Sequence, residues 1–233
     1  MGAMAWMIDE AARAGPEHLD PAYVAGFDRK SSFDVASEID LLRSHGLRAD
    51  SCLVDVGAGT GEFAVAAARI CERVVAVDVS PAMLGAMRRR VADAHAANVE
   101  VVEAGFLTYH HVGRPADFVF SKNALHHLPD FWKVLALGRI ARILRSGGVL
   151  RLRDLVYSFE PRNYEPAIEG WLRSAPDDAA EGWTRAELET HIKEEHSTFA
   201  WLLELMLNRT GFQIHDVELS DTQVFAAYTC RRL

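Results

Sequence analysis

The sequence predicts an α/β fold in which helices cover both faces of a doubly wound, mostly parallel sheet. Short apolar runs rich in β-branched residues alternate with segments whose apolar residues recur at helical spacing. In the clearest example, Cys52 to Val56 predicts a strand, Gly57 to Gly61 a glycine loop and Phe63 to Ile70 a helix. Arg73 to Val79 predicts the next strand. Because such a loop turns backbone N–H groups toward the open edge of the sheet, a nucleotide-like ligand is expected there.

Length and composition favour one globular domain that acts on a small molecule. The 233 residues are enough to bury a core, and the apolar fraction of 49% is ordinary for a globular protein. The net charge of −8 argues against a nonspecific binder of nucleic acid or anionic membranes, since either would need a basic face. We therefore expect a small-molecule substrate, with neither nucleic acid nor a membrane as partner. The oligomeric state stays open.

The cysteines and the N-terminus favour a cytoplasmic protein. The three cysteines are an odd number without a C-x-x-C pair, which is typical of reduced core cysteines. They are Cys52, Cys71 and Cys230. No apolar run approaches the length of a membrane span, and the start lacks the pattern of a secretory signal.

The spacing of the glycines distinguishes between nucleotide-type ligands. A dinucleotide fingerprint, G-x-G-x-x-G, would need a glycine at Glu62 and therefore fails. The chain instead reads D-x-G-x-G-x-G from Asp55 to Gly61, and Asp78 ends the following strand. In this stretch it resembles the class I S-adenosylmethionine-dependent methyltransferases. The resemblance implies that the loop passes under the methionine part of S-adenosylmethionine and that Asp78 accepts hydrogen bonds from both ribose hydroxyls.

The resemblance extends to the adenine site. Ser80 is a natural N-cap for a helix beside the loop. The resemblance implies that Val79 and Met83 contact the adenine and that Phe106, after the third strand, presents its backbone N–H to the ring. The family usually has an aspartate just before that residue, whereas this chain has Gly105. The departure leaves the adenine amino group without its usual acceptor.

A second stretch supports the same family. A predicted fourth strand, Ala116 to Phe120, runs into SKNALHHLPD, and many small-molecule methyltransferases carry a similar sequence at this point. The resemblance covers Ser51 to Asp154 well. It implies a seven-stranded sheet with an antiparallel C-terminal strand, and a cofactor wall formed near Lys122 and Asn123. The candidate cofactor-binding residues are Asp55, Gly57, Ala58, Gly59, Gly61, Asp78, Val79, Met83, Gly105, Phe106, Lys122 and Asn123.

In methyl transfer from a sulfonium, the cofactor supplies the reactivity, so the protein needs few catalytic groups. The displacement is in-line and yields S-adenosylhomocysteine, so the protein chiefly aligns the acceptor and excludes water. If the acceptor is a hydroxyl, a histidine is the usual proton acceptor. His127 and His126 are the catalytic candidates and His196 is a third, each against the alternative that it only orders a helix start or a loop.

No metal site is expected. The run HIKEEH looks metal-like, but its two histidines, His191 and His196, are five residues apart and do not share a helical face. We therefore predict a charged solvent face for this run.

Two segments are candidates for covering the site. Residues 21–47 predict two helices broken around residues 30–32, and their side chains either form a lid or pack against the sheet. The lid candidates are Tyr23, Phe27, Lys30 and Phe33. Residues 158–183 are too long for an ordinary connection, so we interpret them as a cap on an apolar acceptor pocket, with a mere surface loop as the alternative. The aromatic candidates for this pocket are Tyr157, Phe159, Tyr164 and Trp171.

The remaining expectations concern organisation. Residues 1–20 are interpreted as a loosely structured arm, in which residues 1–4, MGAM, resemble a leader added for expression. Residues 21–233 are expected to form one domain. In its C-terminal part, Thr184 begins a helix with a capping box completed by Glu187, and the helical run is predicted to continue to Gly211.

Two alternative functions stay open. One is a protein that binds S-adenosylmethionine without transferring the methyl group. The other is a nucleotide-dependent oxidoreductase on a related sheet. A comparison of S-adenosylhomocysteine and NAD(H) binding distinguishes the oxidoreductase from a methyltransferase. Transfer of a labelled methyl group distinguishes an active methyltransferase from a protein that only binds the cofactor.

Overall fold

The computed structural model describes residues 5–15, 17–30 and 33–233, without the side chains of Glu17 and Arg29. Two sequence interpretations fall outside these residues: the added leader at residues 1–4 and the predicted helix break at residues 31 and 32.

A twisted sheet forms the centre of the described chain. Its strands are β1 (Cys52–Val56), β2 (Arg73–Asp78), β3 (Val99–Glu103), β4 (Ala116–Lys122), β5 (Leu144–Tyr157), β6 (Thr198–Phe199), β7 (Phe212–Leu219) and β8 (Phe225–Arg232). The order is β3-β2-β1-β4-β5-β8-β7, with the two-residue β6 beside the end of β5. Strand β8 is antiparallel to both neighbours, whereas β1 to β5 pair in parallel. The predicted fold class is confirmed, and β6 is an addition to the seven expected strands.

Helices cover both faces of this sheet. They are α1 (Pro21–Val24), α2 (Phe27–Lys30), α3 (Val35–Ser44), α4 (Glu62–Ala68), α5 (Pro81–Asp93), α6 (Asp130–Ile143), α7 (Tyr164–Arg173), α8 (Arg185–Glu194) and α9 (Ala200–Arg209). Helices α3, α4 and α5 pack in one core cluster and α6 and α9 in the other. Because β1 is covered on both faces, all five of its residues are buried. None of the described helices is long and apolar enough to cross a membrane.

The strand order predicts where a ligand-binding crevice lies in the sheet. From β1 the chain proceeds to β2 and β3 on one side and then returns to β4 on the other side of β1. The order therefore reverses between β1 and β4, and the loops that follow these two strands diverge and leave a crevice at their carboxyl ends.

The C-terminal half differs from its prediction in two places. Residues 158–183 contain α7, which the sequence pattern did not predict, because Pro166 and Gly170 are residues that disfavour the interior of a helix. The predicted helix from Thr184 to Gly211 is two helices, α8 and α9, separated by an extended segment that includes β6. The predicted capping box of Thr184 and Glu187 is confirmed.

Candidate functional site

A cleft opens where the strand order reverses. Its volume is about 470 Å³, which suits a small organic ligand. One wall is the loop between β1 and α4, in which Gly57, Gly59 and Gly61 have φ angles of 73°, 56° and 80°. Residues with a Cβ atom rarely adopt such angles, so this loop requires glycine at the three positions.

The three glycines differ in their surroundings. A Cβ atom on Gly57 would lie 2.3 Å from Cβ of Ala124, and one on Gly61 would lie 2.6 Å from Cγ of Met87. A Cβ atom on Gly59 would have no neighbour closer than 3.9 Å. Gly57 and Gly61 therefore allow close packing within the protein, whereas Gly59 faces the open space of the cleft.

Asp78 connects the end of β2 to the glycine loop. Its side chain is 9% exposed, and its two oxygens accept hydrogen bonds from the backbone N–H groups of Gly59 and Ser80, both at 2.8 Å. Burial raises the pKa of this carboxyl above its usual value, and the two N–H donors oppose that change. Because each carboxylate oxygen has a second lone pair, Asp78 can also accept hydrogen bonds from a bound molecule.

Two ionisable groups lie beneath the same loop. Burial, with the charge of Asp78 second, raises the pKa of Asp55 to about 8, so Asp55 holds a proton at neutral pH. Burial lowers the pKa of Lys122 to about 8, and its Nζ lies 4.3 Å from the ring centroid of Phe33. A cationic group of a ligand near Asp55 would favour the ionised carboxylate.

All but one of the candidate cofactor-binding residues line this cleft. They are Asp55, Gly57, Ala58, Gly59, Asp78, Val79, Met83, Gly105, Phe106, Lys122 and Asn123. The exception is Gly61, which begins α4 and faces Met87. Asn123 turns the chain out of β4 with a φ angle of 48°, and its N–H donates to the carbonyl oxygen of Arg153. The role of these residues in binding stays a prediction.

His126 lies at the centre of a buried charge cluster. Its Nδ1 donates to one oxygen of Asp154, whose other oxygen accepts the backbone N–H of His126 at 3.0 Å. Its Nε2 lies 2.9 Å from Oε2 of Glu195. Although burial opposes the charged form, the two carboxylates raise the pKa of His126 to about 9. His126 is therefore an imidazolium at neutral pH and cannot accept a further proton.

His127 has the opposite character. Burial, with the charge of His126 second, lowers the pKa of His127 well below its usual value, so the ring is neutral. Among the described residues its Nδ1 has no hydrogen-bond partner, and this atom lies 4.0 Å from Oε2 of Glu195. The ring of His18 packs edge-on against it, with 5.5 Å between centroids. A neutral imidazole at a cleft, beside a carboxylate, is suited to accept a proton from a bound molecule.

The prediction of a charged solvent face for HIKEEH is wrong. His191 is buried, and its Nδ1 lies 2.5 Å from Oε2 of Glu195, so both side chains face the cleft. The physical reason is that His191 and Glu195 are four residues apart and share a helical face, whereas the spacing between the two histidines does not matter. His196 is not among the cleft residues, and its backbone N–H donates to the carbonyl oxygen of His126.

The same cluster bears on the expectation of no metal site. Ligand atoms of His126, His127 and Glu195 lie within 4.8 Å of one another, a grouping that could hold a metal ion. The ion pairs of His126 with two carboxylates account for the close approach of these groups without an ion, since the imidazolium offsets part of the buried negative charge. Absence of a metal therefore stays a prediction.

The N-terminal helices reach across the cleft to α8. Tyr23, Phe27 and Phe33 line the cleft. The ring of Phe27 meets that of Trp183 edge-on at 6.4 Å, and Nζ of Lys30 lies 2.5 Å from a carboxylate oxygen of Glu187. Phe33 also packs against Phe120 of β4, with 6.0 Å between centroids. Phe33 therefore both lines the cleft and packs against the sheet, whereas a lid role for these helices stays a prediction.

The insert contributes less to the cleft than expected. Of its four aromatic candidates only Trp171 lines the cleft. Phe159 is buried in a small separate core with Leu155, and Tyr157 packs against it. Tyr164 is 55% exposed. The cleft residues that the sequence did not single out include Glu10, His18, Trp183 and Glu195. Only Glu195 had a readable signal, its spacing from His191.

The fold and the cleft define a doubly wound α/β protein with a glycine-loop site for a nucleotide-type ligand. Comparison with known proteins places it further. The family model for a methyltransferase domain matches residues 53–148. An uncharacterised methyltransferase of Geobacillus sp. (strain WCH70) is 24% identical over 195 residues, which cover 78% of this chain and 89% of that protein. The 27-O-demethylrifamycin SV methyltransferase of Amycolatopsis mediterranei (strain S699) is 29% identical over 150 residues, 64% of this chain and 54% of that protein.

A solved structure shares the fold. The crystal structure of magnesium protoporphyrin IX methyltransferase from Synechocystis PCC 6803, with bound S-adenosylmethionine, matches with a TM-score of 0.65. It is 14% identical, and the match covers 99% of this chain and 100% of that chain. At this identity the likeness shows the fold alone. The chain thus contains a methyltransferase domain at residues 53–148, and its relatives and its fold agree with the class I S-adenosylmethionine-dependent methyltransferases that the sequence resembles.

Proposed function

We propose that this enzyme transfers the methyl group of S-adenosylmethionine to a small-molecule acceptor that binds between the glycine loop and His127. The observation that carries the proposal is the presence, in one cleft, of a glycine loop held by Asp78 and of a neutral, partly buried histidine, His127. A cofactor with a ribose diol needs the first feature. An acceptor that loses a proton needs the second.

The cofactor is proposed to lie across the carboxyl ends of β1, β2 and β4. The backbone at Gly57 and Gly59 would face its methionine part, and Asp78 would accept hydrogen bonds from the ribose hydroxyls. The methionine ammonium would lie near Asp55, where a positive charge favours the ionised carboxylate. The adenine would lie among Val79, Met83, Gly105 and Phe106, and the wall near Lys122 and Asn123 would close the methionine end.

The transfer step uses His127 as the proton acceptor. The bond between sulfur and the methyl carbon breaks while the acceptor's oxygen or nitrogen forms its bond to that carbon, and the acceptor's proton passes to the imidazole. The carboxylate near Nδ1 favours a proton on that atom, which leaves Nε2 to accept. Glu195 then lies beside the imidazolium and stabilises its charge. His126 is already protonated, so it positions Glu195 and does not take the proton.

The acceptor is proposed to be a small organic molecule with an apolar body. Around His127 the cleft is lined by large apolar side chains, which favour an aromatic or aliphatic ligand with one ionisable oxygen or nitrogen. They include Phe27, Leu155, Trp171, Trp183 and Phe225. The names of the rifamycin and protoporphyrin methyltransferases, which describe those proteins, support a small-molecule acceptor here.

Transfer of label tests the proposal. The protein is incubated with S-adenosylmethionine labelled in its methyl group and with fractionated small-molecule extract, and label is expected in an organic compound. Asp78→Ala serves as the control that should transfer none. Binding of S-adenosylhomocysteine with no transfer to any fraction would favour the binding protein. A thermal shift with NAD(H) but not with S-adenosylhomocysteine would favour the oxidoreductase.

We also propose that residues 21–233 act as one domain in the cytoplasm. In this domain residues 21–47 form the lid, and residues 158–183 form the cap together with α8. The three cysteines are buried and unpaired, as expected for a reducing compartment. A fluorescent fusion imaged in live cells tests the location, and an exclusively extracytoplasmic signal would refute it.

A further inference from the structure

Glu10 is a buried acid that lines the cleft although it lies in the N-terminal arm. It is 7% exposed. Both of its carboxylate oxygens lie 3.1 Å from the backbone nitrogen of Leu107, which donates to them, and Oε2 also accepts from the hydroxyl of Thr108 at 3.0 Å. Both donors belong to the loop after β3, which the cofactor is proposed to touch. Glu10, the only buried charged residue in the described part of the arm, therefore links the arm to one end of the cleft by hydrogen bonds.

The carboxyl group occupies the space of a missing side chain. A Cβ atom added to Gly105 would lie 2.4 Å from Oε1 and 2.7 Å from Oε2 of Glu10. Gly105 is not among the residues with positive φ, so its backbone would accept any residue. Glycine is needed here because Glu10 fills the space, and the acid that faces this end of the cleft comes from a residue far away in the sequence.

A buried carboxylate that can accept further hydrogen bonds favours ligand groups that donate them. Burial raises the pKa of Glu10 above its usual value, and hydrogen bonding from the backbone of Leu107 and Phe106 and from the side chain of Thr108 opposes that change. The ionised carboxylate accepts hydrogen bonds at about four sites and donates none, so these protein donors leave part of its capacity unused. An unsatisfied acceptor in a buried place is unfavourable, so a ligand group that donates is preferred and one that accepts is repelled. Among purines, adenine carries a donating amino group on its six-membered ring, whereas hypoxanthine has an accepting oxygen there.

We propose that Glu10 accepts a hydrogen bond from the adenine amino group and makes the enzyme select S-adenosyl over S-inosyl ligands. This role rests on the function proposed above. It makes the N-terminal arm a part of the cofactor site. Phe106 and Met83, which also line this end, supply the apolar walls of the base pocket.

Calorimetry with two ligands tests the assignment. S-adenosylhomocysteine and its deaminated analogue, S-inosyl-L-homocysteine, are titrated into the full chain and three variants. The wild type is expected to prefer the adenosyl ligand, and Glu10→Ala to lose most of that preference and about tenfold to a hundredfold of its adenosyl affinity. The double variant Glu10→Ala/Gly105→Asp is expected to regain the preference, because an aspartate then fills the emptied space. Arg13→Ala is the control, since Arg13 is exposed and lies in the same arm.

Each result decides the role of Glu10. An unchanged preference in Glu10→Ala, or tighter adenosyl binding, would overturn it, the latter by showing that the carboxyl group obstructs the base. If Glu10→Ala does not fold, Glu10→Gln replaces it, because its amide can donate to the inosyl oxygen and should shift the preference toward the analogue. A wild type that binds neither ligand would refute the proposed function itself. Binding of S-adenosylhomocysteine with no effect of Glu10 would refute only the inference about this residue.

Discussion

Asp78 is expected to act through two sets of contacts, one with the ribose and one with the loop backbone. Asp78→Ala removes two charge-assisted hydrogen bonds to the diol and also the bond from the N–H of Gly59. We expect the affinity for S-adenosylhomocysteine to fall by about 3 kcal/mol or more, roughly a hundredfold, in a calorimetric titration. Glu103→Ala is the matched control, because Glu103 is paired with Asp78 at the end of the neighbouring strand and is exposed. Equal affinities of the two folded variants would contradict the assignment.

Gly59 offers a cleaner test of the loop than Gly57. A side chain at Gly57 would collide with Ala124 and disturb the fold, whereas one at Gly59 would enter the open cleft. Gly59→Val strains the backbone at its φ angle of 56° but collides with no other residue, so we expect it to fold with reduced stability and to show no thermal shift with S-adenosylhomocysteine. Gly46→Val is the control, since Gly46 has a φ angle of 102° and no neighbour within 4 Å of an added Cβ. A full shift in Gly59→Val would place the cofactor elsewhere.

His127 carries a prediction about pH. A general base works in its deprotonated form, and burial keeps the pKa of His127 well below 6.5. Once an acceptor is known, kcat of the wild type should stay level from neutral into mildly acidic pH and fall only well below pH 6.5. His127→Ala should lower kcat by about a hundredfold to ten-thousandfold with unchanged affinity for S-adenosylhomocysteine.

The control for His127 is His196→Ala, because His196 lies nearby but does not line the cleft. A kcat that already falls on acidification through the usual histidine range, or equal losses in both variants, would exclude His127 as the base.

At the scale of residues, sequence reasoning finds a site where adjacent residues form it and misses a site that folding assembles. The glycine loop is contiguous, and Asp78 follows it by one strand, so both could be predicted. Glu10 could not, because only the folded chain brings it to Gly105, 95 positions away. Glu195 was partly accessible, since its spacing from His191 is visible, but its contact with His126 depends on how α8 packs.

At the scale of elements, local signals predicted the helices that begin with clear caps. Ser80 accepts the N–H of Met83 at the start of α5, and Thr184 forms a capping box at the start of α8. Helix α7 escaped prediction because Pro166 interrupts its pattern, although a proline in the first turn forfeits no intrahelical hydrogen bond. The break between α8 and α9 escaped because the apolar spacing continues across it.

The insert yields a prediction about proteolysis. Helix α7 is anchored by the buried side chains of Trp171 and Leu172, whereas residues 177–181 after it are exposed and form no helix or strand. A protease of broad specificity should therefore cut within residues 174–182 and spare α7. S-adenosylhomocysteine together with an acceptor should slow this cleavage, because Trp183 just beyond contacts Phe27 of the lid. Cleavage at a rate independent of both ligands would leave this segment a surface loop.

At the scale of the whole molecule, the cleft is assembled from parts of unequal predictability. The parallel strands and their order follow from alternating local patterns and the rules of α/β topology, so their common edge could be located in advance. The cover could not, because it joins the N-terminal arm, α2 and α8 through single contacts such as Lys30 with Glu187. Such contacts leave no periodic trace in the sequence.

The N-terminal arm, residues 1–20, is predicted to contribute more to cofactor binding than to folding. The arm brings Glu10, Ala14 and His18 to the cleft, and the hydroxyl of Ser80 donates to the carbonyl oxygen of His18 at 2.6 Å. The buried members of the two large core clusters all come from Ile39 onward. Removal of residues 1–20 should therefore preserve the circular dichroism spectrum. It should reduce the rise in Tm at a fixed concentration of S-adenosylhomocysteine, because each tenfold loss of affinity removes about 1.4 kcal/mol of ligand stabilisation.

A variant lacking only residues 1–4 is the control, since it keeps the three arm residues at the cleft. Equal rises in Tm would show that the arm is dispensable for cofactor binding, and loss of the folded spectrum would show that it belongs to the core.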